Sequence, residues 1–479
     1  MNIHHTINAI QKSLPWGGVW GGLFVLLFTS CESYLDIKPY GRTIPQSTEE
    51  FAALVHNLCN DIDKGNIPAG YIFGYYGETA NYECIADNVA TNLTGGTTAD
   101  RLRHYIGDEL SGKQVVYSYI YEAIRDCNII LGEYEDGRDT REGRDIVGTC
   151  YAIRGVCYYQ LLRMFCAPPL ADDAQLGVPI VTEFDMDAKP LRSTLQETIA
   201  QAESDLLVAI DYDIQEPMYR FNNDVLHGYL ARLYLWCGRW QEARSEAKLV
   251  LANHPLVDAE AYAAMMSTQY GLVGNKLFMA DLLTESQLGI SAVYSQQEAR
   301  PLSASYTSLF VEGTNDVRRK GNLFFNRKRT TRKLIFSGMR SAEMALISME
   351  CAYHLNMLDS ALYELNMFRK NRITGMYLYN NMTLPAVDST ALIQQDATGK
   401  PLTPLIQAIL NERRKELYLE NGDRWFELKR NGRPEWWVGV NGQKYWTRKY
   451  MYTWPIPIND IQLQPGLIQN PGYDELKTY

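Results

Sequence analysis

Glu412, Glu416 and Glu420 recur at four-residue spacing in NERRKELYLENGDRWFELKRNG, residues 411–432. On a helix that spacing sets three carboxylates on one face. Two carboxyl groups are what a glycoside hydrolase uses as acid and base. That chemistry needs them opposed across a cleft, with their pKa values driven apart. Acids stacked on one helix face beside Arg413 and Arg424 meet forked guanidinium donors and stay ionised. The segment therefore reads as a structural clamp and the chain as non-catalytic. The sequence contains no Walker loop, nucleophile elbow, HExxH or GxGxxG motif.

A second chemically marked position is Cys31, in LFVLLFTSCESYLDIKP, residues 23–39. From Val19 to Phe28 the residues are apolar or glycine. That run is too short for a bilayer span, which takes about 20 residues. It fits the apolar core of a secretory signal, with small Thr29 and Ser30 ahead of the cut. A cysteine directly after small residues is the pattern of a bacterial lipoprotein signal, and two or more acyl chains give stable anchoring. Residues 1–30 thus read as a signal peptide, Cys31 as the lipidation site, and 31–46 as a tether broken by Pro39, Gly41 and Pro45. Cysteines 59, 84, 127, 150, 157, 166, 237 and 351 form no CxxC and have no His pair at ligand spacing. Neither a metal site nor a cofactor is expected, and the thiols read as buried and free.

The elements that must position these groups are helical. STEEFAALVHNLCN begins a helix, with Ser47 or Thr48 as cap and acids in its first turn. HGYLARLYLWCGRWQEARSEAKLVLANHP, residues 227–255, has the spacing of a tetratricopeptide repeat. Gly238 makes its turn, and small Ala231 and Ala243 allow two antiparallel helices to close on each other. A second copy, AYHLNMLDSALYELNMFRKNR at 352–372, uses Asn356 at the turn and Ala361 for close packing. Segments 112–134 and 142–166 form a candidate further pair. One repeat cannot bury its own face, so stacked pairs are implied. The expected fold is mostly α: a tetratricopeptide-like helical-repeat scaffold, one domain over 47–479, with long irregular insertions. Those insertions lie at roughly 60–111 and 256–340, and ligand contacts belong there rather than on the scaffold. The net charge of −10 argues against nucleic acid, which selects a basic face. The 32 tyrosines and 9 tryptophans supply amphipathic rings suited to sugars, or to filling gaps between helices.

The C-terminal part is the most specific. NERRKELYLENGDRWFELKRNG is followed by YTWPIPINDIQLQPGLIQNPGY at 452–473. Together they resemble the signature of the SusD/RagB family, outer-membrane nutrient-binding lipoproteins of polysaccharide-utilisation systems. The matching residues are Glu412, Arg413, Arg414, Glu416 and Leu417; Gly422, Arg424, Trp425, Leu428 and Arg430; Pro455 to Pro457; and Gln469 to Tyr473. CESYLDIKP has the form of the family's lipidated N-terminus, and SASYTSLFVEGTNDVRR, with Asp316 and Arg318, resembles a further family segment.

The resemblance implies a lipid-anchored protein on the cell-surface face of the outer membrane. It would bind an oligosaccharide and deliver it to a SusC-like TonB-dependent transporter, with the repeats facing that partner. Capture of a peptide or glycoprotein, as by a RagB-like relative, and a repeat scaffold without soluble ligand are the alternatives. In the relatives, contacts cluster in the two irregular regions. Asp87, Asn92, His104 and Tyr105 are candidates from the first and Tyr294 from the second, with Asp87 equally suited to bracing its loop. Tyr75, Tyr76 and Tyr82 are alternatives for the core. RPEWWVGVNGQKYWTRKYMYTWPIP at 433–457 reads as a β-hairpin around Asn441-Gly442. Its Trp436, Trp437, Trp446 and Trp454 are expected to pack as a core brace.

Overall fold

The computed structural model describes residues 45–90, 92–93, 114–267, 272–281, 302–322, 324–325, 328–329, 335–440 and 443–473. Residues 45–479 form one compact unit. Helix α1 (Thr48–Lys64) starts where Ser47 accepts from the Glu50 amide, and carries Glu49 and Glu50 in its first turn. It ends at Gly65, whose φ of +62° is left-handed. Short helices α2 (Ala69–Phe73) and α3 (Tyr76–Cys84) follow. Strand β1 (Asn92–Leu93) comes next.

Helices α4 (Gln114–Glu133) and α5 (Arg141–Phe165) pack together, as the sequence pattern predicts. Strands β2 (Leu176–Pro179) and β3 (Arg192–Thr194) lead to α6 (Leu195–Tyr212), opened by a Thr194/Glu197 capping box. The more extensive partner of α5 is α6, which the sequence reading does not single out. Gly155 allows the contact, since an added Cβ would lie 2.9 Å from Leu206. Buried Arg154 and Asp205 then cross-link the pair through a two-point ion pair at 2.7 and 2.8 Å.

The first predicted repeat is α7 (Asn223–Cys237) and α8 (Trp240–Asn253). Gly238 turns between them at φ +72°, and Ala231, Ala243 and Ala247 are fully buried. After α9 (Ala259–Ser267), strand β4 (Lys276–Met279), α10 (Ala304–Thr307), α11 (Val317–Asn322) and the short strands β5 (Phe324–Phe325) and β6 (Lys328–Arg329), strand β7 (Gly338–Arg340) pairs antiparallel with β4. The second repeat is α12 (Ser341–His354) and α13 (Leu358–Lys370), starting earlier than its sequence match. Asn356 takes the turn with φ +59°, and Ala361 is fully buried. Helix α12 packs on α8, so repeats distant in sequence stack directly. The stretch 256–340 is therefore a mixture of short elements interrupted by 282–301, which lies outside the described residues.

Helices α14 (Pro404–Glu416) and α15 (Asp423–Arg430) carry the signature. Strands β8 (Trp436–Val440) and β9 (Gln443–Thr447) form the predicted hairpin, and β1 joins β8 in parallel. The last helix is α16 (Ile458–Leu463). Two of the four tryptophans pack as expected: Trp436 and Trp454 are buried, the latter stacked on Tyr82 at 5.9 Å. Trp437 and Trp446, partners across the hairpin, are 38% and 42% exposed. Their side chains point away from Trp436 because successive strand residues alternate faces. All eight cysteines in the described residues are free thiols, and all but half-buried Cys237 are buried. Among the described residues, no helix is long and apolar enough to cross a membrane.

Candidate functional site

The signature residues build two buried ion clusters. In the first, Glu416 meets Arg340 at 2.6 Å, Arg372 at 3.0 Å and Arg318 at 3.5 Å. Arg318 also holds Asp316 and Glu412, each at 2.7 Å. Burial alone would raise the Glu416 carboxyl; Arg372, Arg340 and Arg318 outweigh it and hold it well below the ordinary carboxylate range. Glu420 joins this cluster through Arg340 at 2.8 Å, but not as a third residue of one helix face. Helix α14 ends at Glu416, and Leu419, Asn421 and Gly422 all have positive φ. The turn folds Glu420 back to the far edge of the same guanidinium. These carboxylates are enclosed and individually paired, so they clamp elements together instead of facing a cleft.

The second cluster reaches the irregular regions. Asp87 receives Arg424 at 2.5 and 2.9 Å, with Arg414 3.2 Å away. Desolvation would raise the Asp87 carboxyl, but Arg414 and Arg424 bring it down to about 2. Arg414 also donates to the Asn88 side chain (2.7 Å), the Asp87 carbonyl (3.0 Å) and Ser305 Oγ (3.3 Å). Asn88 donates onward to Glu83, whose other oxygen accepts the Leu419 amide, each at 2.9 Å.

One consequence is that two chain segments far apart in sequence leave the scaffold together. Val89 and Leu302 form an antiparallel bridge, and the Ser303 amide donates to the Asn88 carbonyl at 2.8 Å. Asp281 donates from its amide to the Ile62 carbonyl (2.9 Å) and accepts from the Tyr76 amide (3.1 Å). Gly65 makes this approach possible: its built Cβ would lie 3.0 Å from the Asp281 carboxyl. Residues 281 and 302 bound the segment 282–301, and both are tied to the 60–90 region.

Between these stems runs a row of half-buried tyrosines. Tyr71 and Tyr119 stack at 5.6 Å with 8° between planes. Tyr71 meets Tyr75 edge-on at 5.8 Å, and Tyr75 meets Tyr76 at 5.9 Å. Tyr119 stands in the second turn of α4, just after the segment 94–113. The row offers ring faces with polar tips, the surface a pyranose needs.

Comparison with known proteins bears directly on this signature. A model of the SusD family matches residues 305–473, and a second, described as starch-binding associating with outer membrane, matches residues 33–235. The chain belongs to the SusD/RagB family. No curated protein matches it. Among solved structures, a SusD superfamily protein from Bacteroides thetaiotaomicron VPI-5482 is similar with a TM-score of 0.67 at 21% identity, covering 89% of this chain and all of its own. A putative sugar binding protein from Bacteroides vulgatus ATCC 8482 gives 0.65 at 21% identity, over 90% of this chain and 100% of that one. A SusD-like carbohydrate binding protein from the same organism gives 0.63 at 18% identity, over 88% and 98%. At these identities the likeness establishes the fold.

In this SusD/RagB member the closing motif secures itself. Gln469 exchanges both amide groups with the Ile456 backbone at 2.8 Å, and Asn470 donates to the Trp454 and Phe165 carbonyls at 2.7 and 2.9 Å. Of the site residues expected from sequence, Asp87 is buried and engaged by two arginines, which is its bracing role. Asn92 lies in β1, opposite Gly439 of the hairpin. Cys31, His104, Tyr105 and Tyr294 lie outside the described residues. Tyr82 is core, whereas Tyr75 and Tyr76 join the half-buried row. Tyr71 and Tyr119 were not singled out in sequence. The i, i+4 spacing of Tyr71 and Tyr75 is a weak trace of the row, and Tyr119 is hidden in the apolar periodicity of VVYSYIY.

Proposed function

We propose that the chain is a lipid-anchored outer-membrane protein that captures an oligosaccharide at the cell surface and passes it, unaltered, to a SusC-like TonB-dependent transporter. The observation that carries the reading is the convergence of both irregular segments beside the row Tyr71, Tyr75, Tyr76 and Tyr119, within a SusD/RagB fold. Cys31 is the anchor. Asn92, His104, Tyr105 and Tyr294 are the further candidate contact residues, and Asp87 braces the stem beside the row. Weak contacts suffice, because anchoring raises the local ligand concentration. The sugar-binding and carbohydrate-binding names of two similar structures support the glycan class.

The test is a glycan and peptide array probed with the purified chain, followed by product analysis. Retention of an intact oligosaccharide, weakened in Tyr71→Ala and Tyr119→Ala, is expected. Capture of peptides alone would transfer the chain to the RagB-like alternative, and cleaved sugar would sink the carrier reading. Loss of membrane attachment in Cys31→Ala checks the anchor.

A further inference from the structure

A small cavity of about 40 Å³ lies where α5, α7, α12, α14 and α15 meet. One enclosed water needs about 10–15 Å³ of such space, so the volume admits one larger guest. Its aromatic side is fixed. Phe426 meets Trp236 edge-on at 6.2 Å, and the Arg163 guanidinium lies over the Phe426 ring at 3.7 Å. Most of the remaining wall is charged.

The carboxylates of that wall are engaged at both oxygens. Glu343 receives Arg232 at 2.9 and 2.5 Å. Asp423 receives Arg413, at 2.5 Å on one oxygen and 3.2 Å on the other. Glu427 accepts from Arg430 at 2.7 Å on one oxygen and from Asn431 at 3.3 Å on the other. Donors are left over. Arg163 is 9% exposed and donates to the Gln160 side chain at 3.3 Å, and among the described residues no carboxylate reaches it. Arg413 and Trp236 are each 5% exposed, and Arg413 Nη1 and Trp236 Nε1 are buried without a hydrogen-bond acceptor. Elsewhere in this chain buried guanidinium groups are answered by carboxylates, as Arg318 and Arg340 are. A guanidinium buried without an anion is costly, so the acceptor missing here comes with a guest.

We propose that this cavity binds one small monovalent anion, of the size of chloride, held by Arg163, Arg413 Nη1 and Trp236 Nε1. The anion answers the one guanidinium of the wall that no carboxylate meets. It ties α5 and α7 to the signature helices α14 and α15 and acts as a brace of the scaffold. The site is separate from the tyrosine row, and the inference does not rest on glycan delivery.

The test pairs melting of the purified chain, as sodium chloride replaces sodium gluconate at constant ionic strength, with anomalous scattering from crystals soaked in bromide. Tm should rise with chloride, because a ligand of the folded state stabilises it by mass action. A bromide peak should stand in the cavity, within hydrogen-bond reach of Arg163 and of Trp236 Nε1. Trp236→Phe removes the indole donor, and Arg163→Gln removes the charge. Each should move the rise in Tm to about tenfold higher chloride, since hydrogen bonds to a charged group are the strong ones. Tyr71→Ala should leave the rise unchanged, which separates this site from the platform. Should either cavity variant fail to fold, the bromide map of the parent chain decides. A Tm indifferent to the exchange of anions, water alone in the cavity of the bromide crystals, or an unmoved rise in both folded variants would overturn the proposal.

Discussion

Replacing Glu416 by Gln should destabilise the chain out of proportion to a change of one atom. Glu416 is fully buried and is the carboxylate partner of Arg372, whose Nε and Nη2 lie 3.0 Å from it. Without that charge, Arg318 retains Asp316 and Glu412, and Arg340 retains Glu420. Arg372 retains backbone carbonyls of Val257 and Asn371 at 2.7 and 2.9 Å and the Tyr262 ring at 4.4 Å, with no other anion against it among the described residues. Breaking a buried pair from one side costs about 3–5 kcal/mol, mostly through the charge left behind. Unfolding entropy is about 2.1 cal/mol/K per residue, so over residues 45–479 a loss of about 4 kcal/mol lowers Tm by about 4 °C. Scanning calorimetry at pH 7 would compare Glu416→Gln with Glu242→Gln, whose half-exposed pair with Arg239 is worth under about 1 kcal/mol. The double variant Glu416→Gln with Arg372→Met isolates the cause. If the orphaned guanidinium is the cost, the pair of changes loses at least about 1 kcal/mol less than the sum of the singles. Additive losses, or a Glu416→Gln chain that melts with the surface control, would refute the reasoning.

Acidification should weaken the same clusters. The carboxyls of Asp87, Glu343, Glu412 and Glu416 would all be raised by burial, and adjacent guanidinium groups lower them instead. Their stabilisation is complete above the unfolded pKa values near 4 and is lost as pH falls towards their folded values, about 2 for Asp87. Tm should therefore drop as pH falls from about 4 to 2; a level or rising Tm over that interval would contradict the pairing. Asp87→Asn should cost about 2–4 kcal/mol in a urea melt, since it strips Arg414 and Arg424 of their shared anion. An unchanged melt with abolished ligand binding would instead make Asp87 a contact residue. A thiol reagent should find the seven buried cysteines of the described residues unreactive until denaturant is added, because burial raises thiols such as Cys59, to about 12. Rapid native labelling of Cys127 or Cys351 would count against the helix packing around them.

How far the sequence discloses this molecule depends on the range of the interaction concerned. The repeats are legible because their determinants are local: Gly238 and Asn356 turn left-handed, and Ala231, Ala243 and Ala361 vanish into helix contacts a few residues away. Helix α6 was missed although it has a full capping box, because its tight contact with α5 depends on Gly155, forty residues before Leu195 and marked by no repeat spacing. Glu420 shows the opposite error. Four-residue spacing implies a helix face only while the helix continues, and this one stops at Glu416, with Leu419 turned to positive φ before Glu420. The tryptophans follow the same lesson: once a hairpin is read, strand alternation already separates Trp436 from Trp437. Asp87 could not be resolved that way. Its decisive partner, Arg424, lies 337 residues further on, and nothing local distinguishes an acid that grips a sugar from one that grips an arginine. That separation also explains why the signature is so recognisable while the segments proposed to meet the ligand are not. Arg414 and Arg424 must fit a single buried geometry that ties Asp87, Asn88 and Ser305 to the scaffold, so their identities are held to one solution. Under the proposed function, the segments between those stems need only place rings and hydroxyls within reach of a sugar, a requirement many sequences satisfy.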